Sequence, residues 1–343
     1  MTGPGRPTAG QRLRVAALHL AVGVLRRLPD HLVFRAAYVA GAGLSLVMHE
    51  RRELVRANLR QVCRGLVARG LGSERVRRAA TDGRALAALT RSAFGHWALG
   101  YVESAVTSSY PPQRLRERVH GVGTGAAAEA LAAQRSDTVG RIFVSPHFGS
   151  VELAALYGVA VGGLRMVAPM ETVADPALQA YFERMRGSTG IRIVPIRGAS
   201  TVLRAALAAG DAVALVADRA IGGMGMPVEL FGAPARLPLG PAVLAIESGA
   251  PVYVVGIRRT GWGEWATHVE RLEPTSGESL RERIAAQLDA QARAFERIVA
   301  EAPDQWWTCF FPIWKQPSGE RREVAREGGA AAADRDASRP EAA

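Results

Sequence analysis

Arg141-Ile142-Phe143-Val144-Ser145-Pro146-His147-Phe148-Gly149-Ser150-Val151-Glu152-Leu153 carries a short apolar run into a histidine, with a carboxylate five residues further on. The apolar run fits a buried strand, the next residues a turn, and Val151 onward the start of a helix. A histidine at a strand end has its backbone fixed while its ring faces a cleft. A neighbouring carboxylate can then hold its tautomer and stabilise its charged form. That chemistry is what removes a proton from a hydroxyl. Pairs of the form His-x4-acid also arise by chance, so a structural histidine stays open at this point.

Working outward, apolar and amphipathic segments alternate from Val119 onward. The pattern predicts helix 125–134, strand 140–145, helix 150–160, strand 164–168, helix 176–188 and strand 191–195. It continues with helix 199–209, strand 212–216, helix 239–248, strands 251–258 and 265–271, and helix 278–301. Alternating strands and helices imply an α/β fold with a mainly parallel central sheet flanked by helices. Asp218 and Arg219 fall at a strand end, where open α/β sheets usually bind ligands; an aspartate capping a turn reads equally well. Glu229, between Val228 and Leu230, either joins a polar cluster around His147 or is an ordinary exposed strand residue.

Three further blocks match a family in order along the chain: Val213 to Arg219, Val228 to Ala242, and Glu247 to Val255. With Arg56-Ala57-Asn58-Leu59 near the start and Asp304-Gln305-Trp306-Trp307 near the end, the chain resembles the lysophospholipid acyltransferase superfamily. The branch is that of bacterial lipid A lauroyl/myristoyl acyltransferases, which includes phosphatidylinositol mannoside acyltransferases. The resemblance covers roughly residues 10 to 316, and His147 and Glu152 match the family's His-x4-Asp/Glu pair. The branch commonly reads His-Phe-Gly-Asn-Trp-Glu, whereas Ser150 and Val151 stand here in place of Asn and Trp, which bears on the acceptor.

The resemblance implies a membrane-associated O-acyltransferase using acyl-CoA or acyl carrier protein as co-substrate, with no cofactor and no metal. A glycolipid, for instance a phosphatidylinositol mannoside, is the implied acceptor. In that reading His147 is the general base and Glu152 orients it. Backbone amides at the start of the helix after His147 are candidates to face the oxyanion, with Gly149 allowing close approach and Ser150 beside it on the substrate side, while Glu171 and Arg186 lie near the acceptor. The register leaves Arg184 as a rival to Arg186, and the glycine closely following Arg186 favours the latter. Two alternatives stand beside this reading: acylation of a secondary metabolite or sugar hydroxyl, and a non-catalytic lipid-binding protein on the same fold.

Composition narrows the classes. The 343 residues carry a formal net charge of +11, and Lys315 is the single lysine, so the charge is arginine. No P-loop lysine or Ser-x-x-Lys pair is available, and Gly-x-Ser-x-Gly and His-Glu-x-x-His are missing. Arginines spread along the chain, without zinc-finger spacing or an aromatic RNA-recognition signature, argue against nucleic acid. Anionic lipid head groups or a phosphorylated donor fit better. Cys63 and Cys309 make neither a disulfide framework nor a metal cluster and are read as reduced and structural.

At the N-terminus, Gln11 to Leu28 has apolar residues at helical spacing with arginines at both ends, which fits a basic amphipathic helix in a membrane interface. A signal peptide is the rival reading, but no small-residue cleavage site precedes Pro29-Asp30. Leu32 to Met48 is short of the roughly twenty residues a span needs. The expected organisation is therefore a disordered 1–9, a helical membrane-associating extension 10–104, a catalytic domain 105–317, and a charged disordered tail 318–343. Gly83 and Gly95 interrupt the helices of 49–104 in this reading. A monomer is expected, peripheral on the cytoplasmic face of the inner membrane.

Overall fold

The structure, a computed structural model, describes residues 8–132, 140–220 and 225–314. Residues 1–7 of the expected disordered start, and the whole of the expected tail, lie outside the described residues. The N-terminal helices are α1 Ala9–Leu25, α2 Asp30–Val47, α3 His49–Ala68, α4 Glu74–Thr81, α5 Gly83–Thr107 and α6 Pro112–Arg118. The strands are β1 Val119–His120, β2 Arg141–Ser145, β3 Met166–Met170, β4 Ile191–Pro195, β5 Ala212–Val216, β6 Met226–Leu230, β7 Ala233–Leu237, β8 Val252–Gly261 and β9 Glu264–Leu272. Between and after them run α7 Gly125–Leu131, α8 Val151–Ala160, α9 Pro176–Gly187, α10 Ala199–Ala208, α11 Gly240–Ser248 and α12 Leu280–Glu301.

Seven strands form one sheet in the order β1-β9-β8-β2-β5-β3-β4, parallel at every neighbouring pair except β8 with β9. The fold is the mainly parallel α/β architecture expected from the sequence. Both faces are covered, and the strand residues divide between them with a period of two. Ile142, Val144, Val213 and Leu215 join a core with α10, α11 and α12. Phe143, Ala212 and Ala214 face the other way, toward Leu131, Ala155 and Val159 of α7 and α8.

The N-terminal helices share the larger core. Val55, Leu59, Leu66, Leu89 and Phe94 belong to the same buried cluster as the central strands. Helices α2 and α5 cross closely because a Cβ on Gly41 would sit 2.5 Å from the Phe94 carbonyl, and one on Gly95 2.6 Å from the Tyr38 ring. Gly95 therefore does not interrupt a helix; it lies inside α5 and permits the crossing. The boundary expected after residue 104 also falls inside α5. The antiparallel hairpin β6–β7 lies between residues 216 and 239, where the sequence pattern predicts no element. Each of its two strands carries a proline as its second residue, Pro227 and Pro234, which weakens the strand signal.

Candidate active site

Strands β2 and β5 are parallel neighbours in the register Ser145↔Val216. Two residues beyond each strand end stand His147 and Asp218, so the register alone sets these side chains against one another at the C-terminal edge of the sheet. His147 Nδ1 lies 2.6 Å from Asp218 Oδ1, and the His147 backbone N–H donates to Asp218 Oδ2 at 2.9 Å. Oδ2 accepts two further bonds, from Trp306 Nε1 at 2.8 Å and from the Thr308 hydroxyl at 2.7 Å. Asp218 is buried, while the His147 side chain keeps 27% of its surface open. Since a carboxylate only accepts, Nδ1 carries the proton and the Nε2 lone pair is free.

Electrostatics agree with this pairing. Burial acts to lower the His147 pKa, but the Asp218 charge and hydrogen bond outweigh it and hold the imidazole above its ordinary value of 6.5. Arg219 opposes that rise and Glu152 adds to it. For Asp218 burial pushes upward, and the charge of His147 with the bonds from His147 and Thr308 brings the carboxyl below the usual carboxylate range. A buried carboxylate stays ionised when several donors converge on it.

A strap formed by residues 303–311 closes over this pair. Gly149 N–H donates to the Gln305 carbonyl at 3.0 Å and Trp307 N–H to the His147 carbonyl at 2.7 Å. The Trp307 ring stacks on the imidazole, with centroids 5.6 Å apart and 21° between planes. Asp304 holds the strap to the helical layer, accepting from both Arg75 Nη atoms at 3.0 and 2.6 Å and from Ser92 Oγ at 2.5 Å. Asn58 Nδ2 in α3 donates to the carbonyls of Cys309 and Phe311, each at 2.8 Å.

Residues 13–316 match the family of bacterial lipid A biosynthesis acyltransferases. The chain belongs to this family. Among curated relatives, the phosphatidylinositol mannoside acyltransferase of Mycobacterium tuberculosis (strain ATCC 25618 / H37Rv) is 31% identical over 216 residues, covering 62% of this chain and 64% of that protein. The phosphatidylinositol mannoside acyltransferase of Mycolicibacterium smegmatis is 29% identical over 244 residues, 68% of this chain and 75% of its own length. The match thus spans just under two thirds of the M. tuberculosis relative.

In this family member the residues singled out from the sequence separate into groups. Glu152, expected to orient His147, instead pairs with Arg186 at 3.1 Å from the first turn of α8. Asp218 takes the Nδ1 position because strand register delivers it there, and Glu152 acts on the imidazole only through its charge. Arg186, not Arg184, reaches in, and its Nη1 also contacts Met170 Sδ at the end of β3. Glu171 pairs with Arg219 at 3.0 Å, and the Arg219 guanidinium lies 4.4 Å over the Phe311 ring. Glu229 does not join the His147 group: it faces outward on β6 and pairs with Arg69, just past the end of α3.

Gly149 and Ser150 also differ from expectation. Their amides are engaged, Gly149 with Gln305 and Ser150 with the Ile257 carbonyl at 3.1 Å, so neither faces an oxyanion. Gly149 has φ +58° and a Cβ there would meet the Ile257 carbonyl at 1.8 Å, so the glycine is required by the approach of the chain to β8. The Gly149 carbonyl accepts from Arg259 Nη2 at 2.9 Å, and Arg259 is itself clamped by Glu103 of α5 at 2.7 Å. Both partners of that ion pair are buried, and removing one would cost ~3–5 kcal/mol. Sequence reasoning missed Thr308, Glu103 and Arg259. Gln305 and Trp306 were visible only as members of the closing Asp304-Gln305-Trp306-Trp307 motif, without a role at His147.

A cavity of about 450 Å³ opens at the N-terminal ends of β3 and β4 beside Leu164 and Arg192, at the opposite edge of the sheet from His147.

Proposed function

We propose that the protein is a membrane-associated O-acyltransferase that moves a fatty acyl chain from a thioester donor, acyl-CoA or acyl carrier protein, to a hydroxyl of a glycolipid. The two mycobacterial relatives favour an acceptor of the phosphatidylinositol mannoside kind. The observation that carries the chemistry is the His147–Asp218 pair, with Nδ1 committed to a buried carboxylate and the imidazole still partly open. Nε2 takes the proton of the acceptor hydroxyl as its oxygen attacks the thioester carbonyl. The tetrahedral intermediate then collapses, the C–S bond breaks, and the imidazolium returns the proton to the departing thiolate. Asp218 stabilises the imidazolium between these events. The developing oxyanion is assigned to Arg219, whose Nε is buried without a partner among the described residues, and to the amides that open α8.

Membrane association is supported by the apolar residues that α1 and α2 leave in solvent. Leu13 and Leu20 stand seven residues apart on α1, as do Leu32, Val39 and Leu46 on α2, and all five are exposed. Seven-residue spacing keeps each set on one helix face. No single helix among the described residues is long and apolar enough to cross a membrane. The proposal is therefore a peripheral monomer at the cytoplasmic face of the inner membrane, bound by apolar contact and by arginine attraction to anionic head groups. It is tested by free-thiol release from palmitoyl-CoA by wild type and His147→Ala, with and without a membrane-lipid extract, with products analysed by mass spectrometry. Release that depends on the extract, adds one acyl mass to a lipid and disappears in the variant is expected. A folded His147→Ala with undiminished transfer refutes the mechanism.

A further inference from the structure

Helices α2 and α3 meet at Met48 with a bend of 104°. The tip of this elbow is apolar and open: Leu46 is 60% and Val47 70% exposed. Directly behind the tip lies another cavity, about 220 Å³, between α2, α3 and α5. Ser45, Arg52, Glu53, Arg56, Thr90 and Arg91 line it, with Leu46 at the rim. Three guanidinium groups thus face one carboxylate.

That carboxylate neutralises little of the charge. Glu53 is 3.5 Å from Arg52 Nε and 3.9 Å from Arg56 Nη1, and the three side chains are partly solvated. The two hydroxyls are turned away, Ser45 donating to the Ala42 carbonyl and Thr90 to the Leu86 carbonyl of their own helices. Arg56 Nε is buried and has no hydrogen-bond partner among the described residues. A buried donor left open on a cationic cavity calls for an anionic acceptor. Guanidinium forks suit phosphate oxygens better than a point charge does. The adjoining apolar tip tells which phosphate. A free anion has no use for Leu46 and Val47, whereas a phospholipid puts its phosphate at the depth of the arginines and its acyl chains against the apolar tip.

We propose that this cavity is a head-group site for the phosphate of an anionic membrane phospholipid, separate from the acceptor bound at His147. The proposal rests on the membrane association put forward above and extends it: the elbow inserts, the arginine cavity grips one head group, and the site is held at a fixed height over the bilayer. Arg51 and Asn58, on the same helix α3, donate to the carbonyls of Phe310 and of Cys309 and Phe311, so α3 joins the gripped head group to the strap over His147.

The test is co-sedimentation of the full chain with phosphatidylcholine vesicles, with and without phosphatidylglycerol. Arg56→Gln/Arg91→Gln is compared with Arg192→Gln/Arg281→Gln, which removes the same charge from exposed positions elsewhere. Binding to the anionic vesicles is expected to fall at least about tenfold for the cavity pair and by less than about twofold for the other pair. Arg91→Gln alone, on an exposed side chain, serves if the double variant does not fold, with about a threefold loss expected. Equal losses in both pairs would mean diffuse charge attraction and overturn the site. So would a thermal stabilisation by inorganic phosphate that vanishes in the cavity pair while vesicle binding is unchanged, which marks a free-anion site. Thiol release with a detergent-dispersed acceptor stays at wild-type level in the cavity variants; because His147→Ala removes that release without touching vesicle binding, failure of the site and failure of the acyltransferase reading are distinguishable.

Discussion

Replacing Asp218 by asparagine separates geometry from charge at the centre of this enzyme. Oδ2 accepts from the His147 backbone, Trp306 and Thr308, while Oδ1 faces only His147 Nδ1. Three donors against one fix the orientation of the amide: its oxygen takes the Oδ2 position and its NH2 points at Nδ1. Nδ1 must then accept, the proton moves to Nε2, and the base is lost. A charge-assisted hydrogen bond contributes ~1.5–3 kcal/mol. Attraction between imidazolium and carboxylate at ~4 Å adds ~4 kcal/mol at an effective dielectric of ~20. Together these come to about 6 kcal/mol, or about four powers of ten in kcat/KM at ~1.36 kcal/mol per decade. The fold should survive, with a loss of about 1–2 kcal/mol, because the amide oxygen keeps three of the four bonds. The pH profile adds a sign. Asp218 raises the His147 pKa, so the wild-type acid limb of kcat/KM lies above 6.5, and any residual activity in the variant shifts that limb to lower pH. Thiol release across pH, with thermal melting as the folding control, reads all of this. A folded Asp218→Asn that keeps more than a tenth of wild-type kcat/KM refutes the assignment of Asp218 as the partner of the base.

Thr308→Val removes one of the three donors on Oδ2; the carboxylate charge then rests more on His147, so the acid limb should move to higher pH with about a tenfold lower plateau, and an unmoved limb would show that the hydroxyl does not act on the pair. Glu152→Gln and Arg186→Gln should each cost about tenfold or less, mainly in KM, and the double variant should be no worse than the worse single one because they lose one shared interaction; additive losses would show separate roles. Burial pushes the His96 pKa down to about 4 despite the opposing Asp304 charge. The unfolded chain therefore binds a proton between about pH 6.5 and 4 that the folded chain refuses, and stability should fall across that window as pH drops, by on the order of 3 kcal/mol in full. Urea midpoints measured at both ends should differ less in His96→Gln than in wild type.

How far the sequence went depended on whether a signal was local. Strands β2, β4 and β5 are apolar runs between turn residues, and their residues alternate between two covered faces, so periodicity found them. Strands β6 and β7 each carry a proline as their second residue, and their pairing depends on the turn at Phe231-Gly232. His147, Glu152 and Asp218 were all visible as chemistry-bearing residues. Which carboxylate meets the imidazole was not, because that rests on β2 lying next to β5 in a register that places residues 147 and 218 side by side. Spacing along the chain favours Glu152, five residues away; spacing across the sheet delivers Asp218, 71 residues away. Thr308 carries no motif and acquires its role from a strap that folds back over the sheet edge. Arg259 and Glu103 belong to no motif, and only packing buries them together.

The strap also alters how the N-terminal helices bear on catalysis. Asp304, at its start, is gripped by Arg75 of α4 and Ser92 of α5, and Asn58 of α3 binds its far end. Between those anchors stand Trp306 and Thr308, which hold Asp218, and Trp307, which stacks on His147. Glu103 of α5 reaches the same centre by another route, through Arg259 to the Gly149 carbonyl. The helices expected as a membrane-associating extension thus also supply residues that hold the strap over His147 and Asp218. Removing α1 alone leaves every one of these bonds in place, since α1 packs on α9 through Val15, Ala177 and Tyr181. Removing the chain through α4 deletes Arg75 and Asn58 and exposes the part of the core that Val55, Leu59 and Leu66 fill. With its guanidinium partner gone, the buried Asp304 carboxylate is left to Ser92 and the neutral His96, and the strap loses the anchor from which it reaches Asp218. Loss of the α3–α4 layer then reaches the His147–Asp218 pair through the strap.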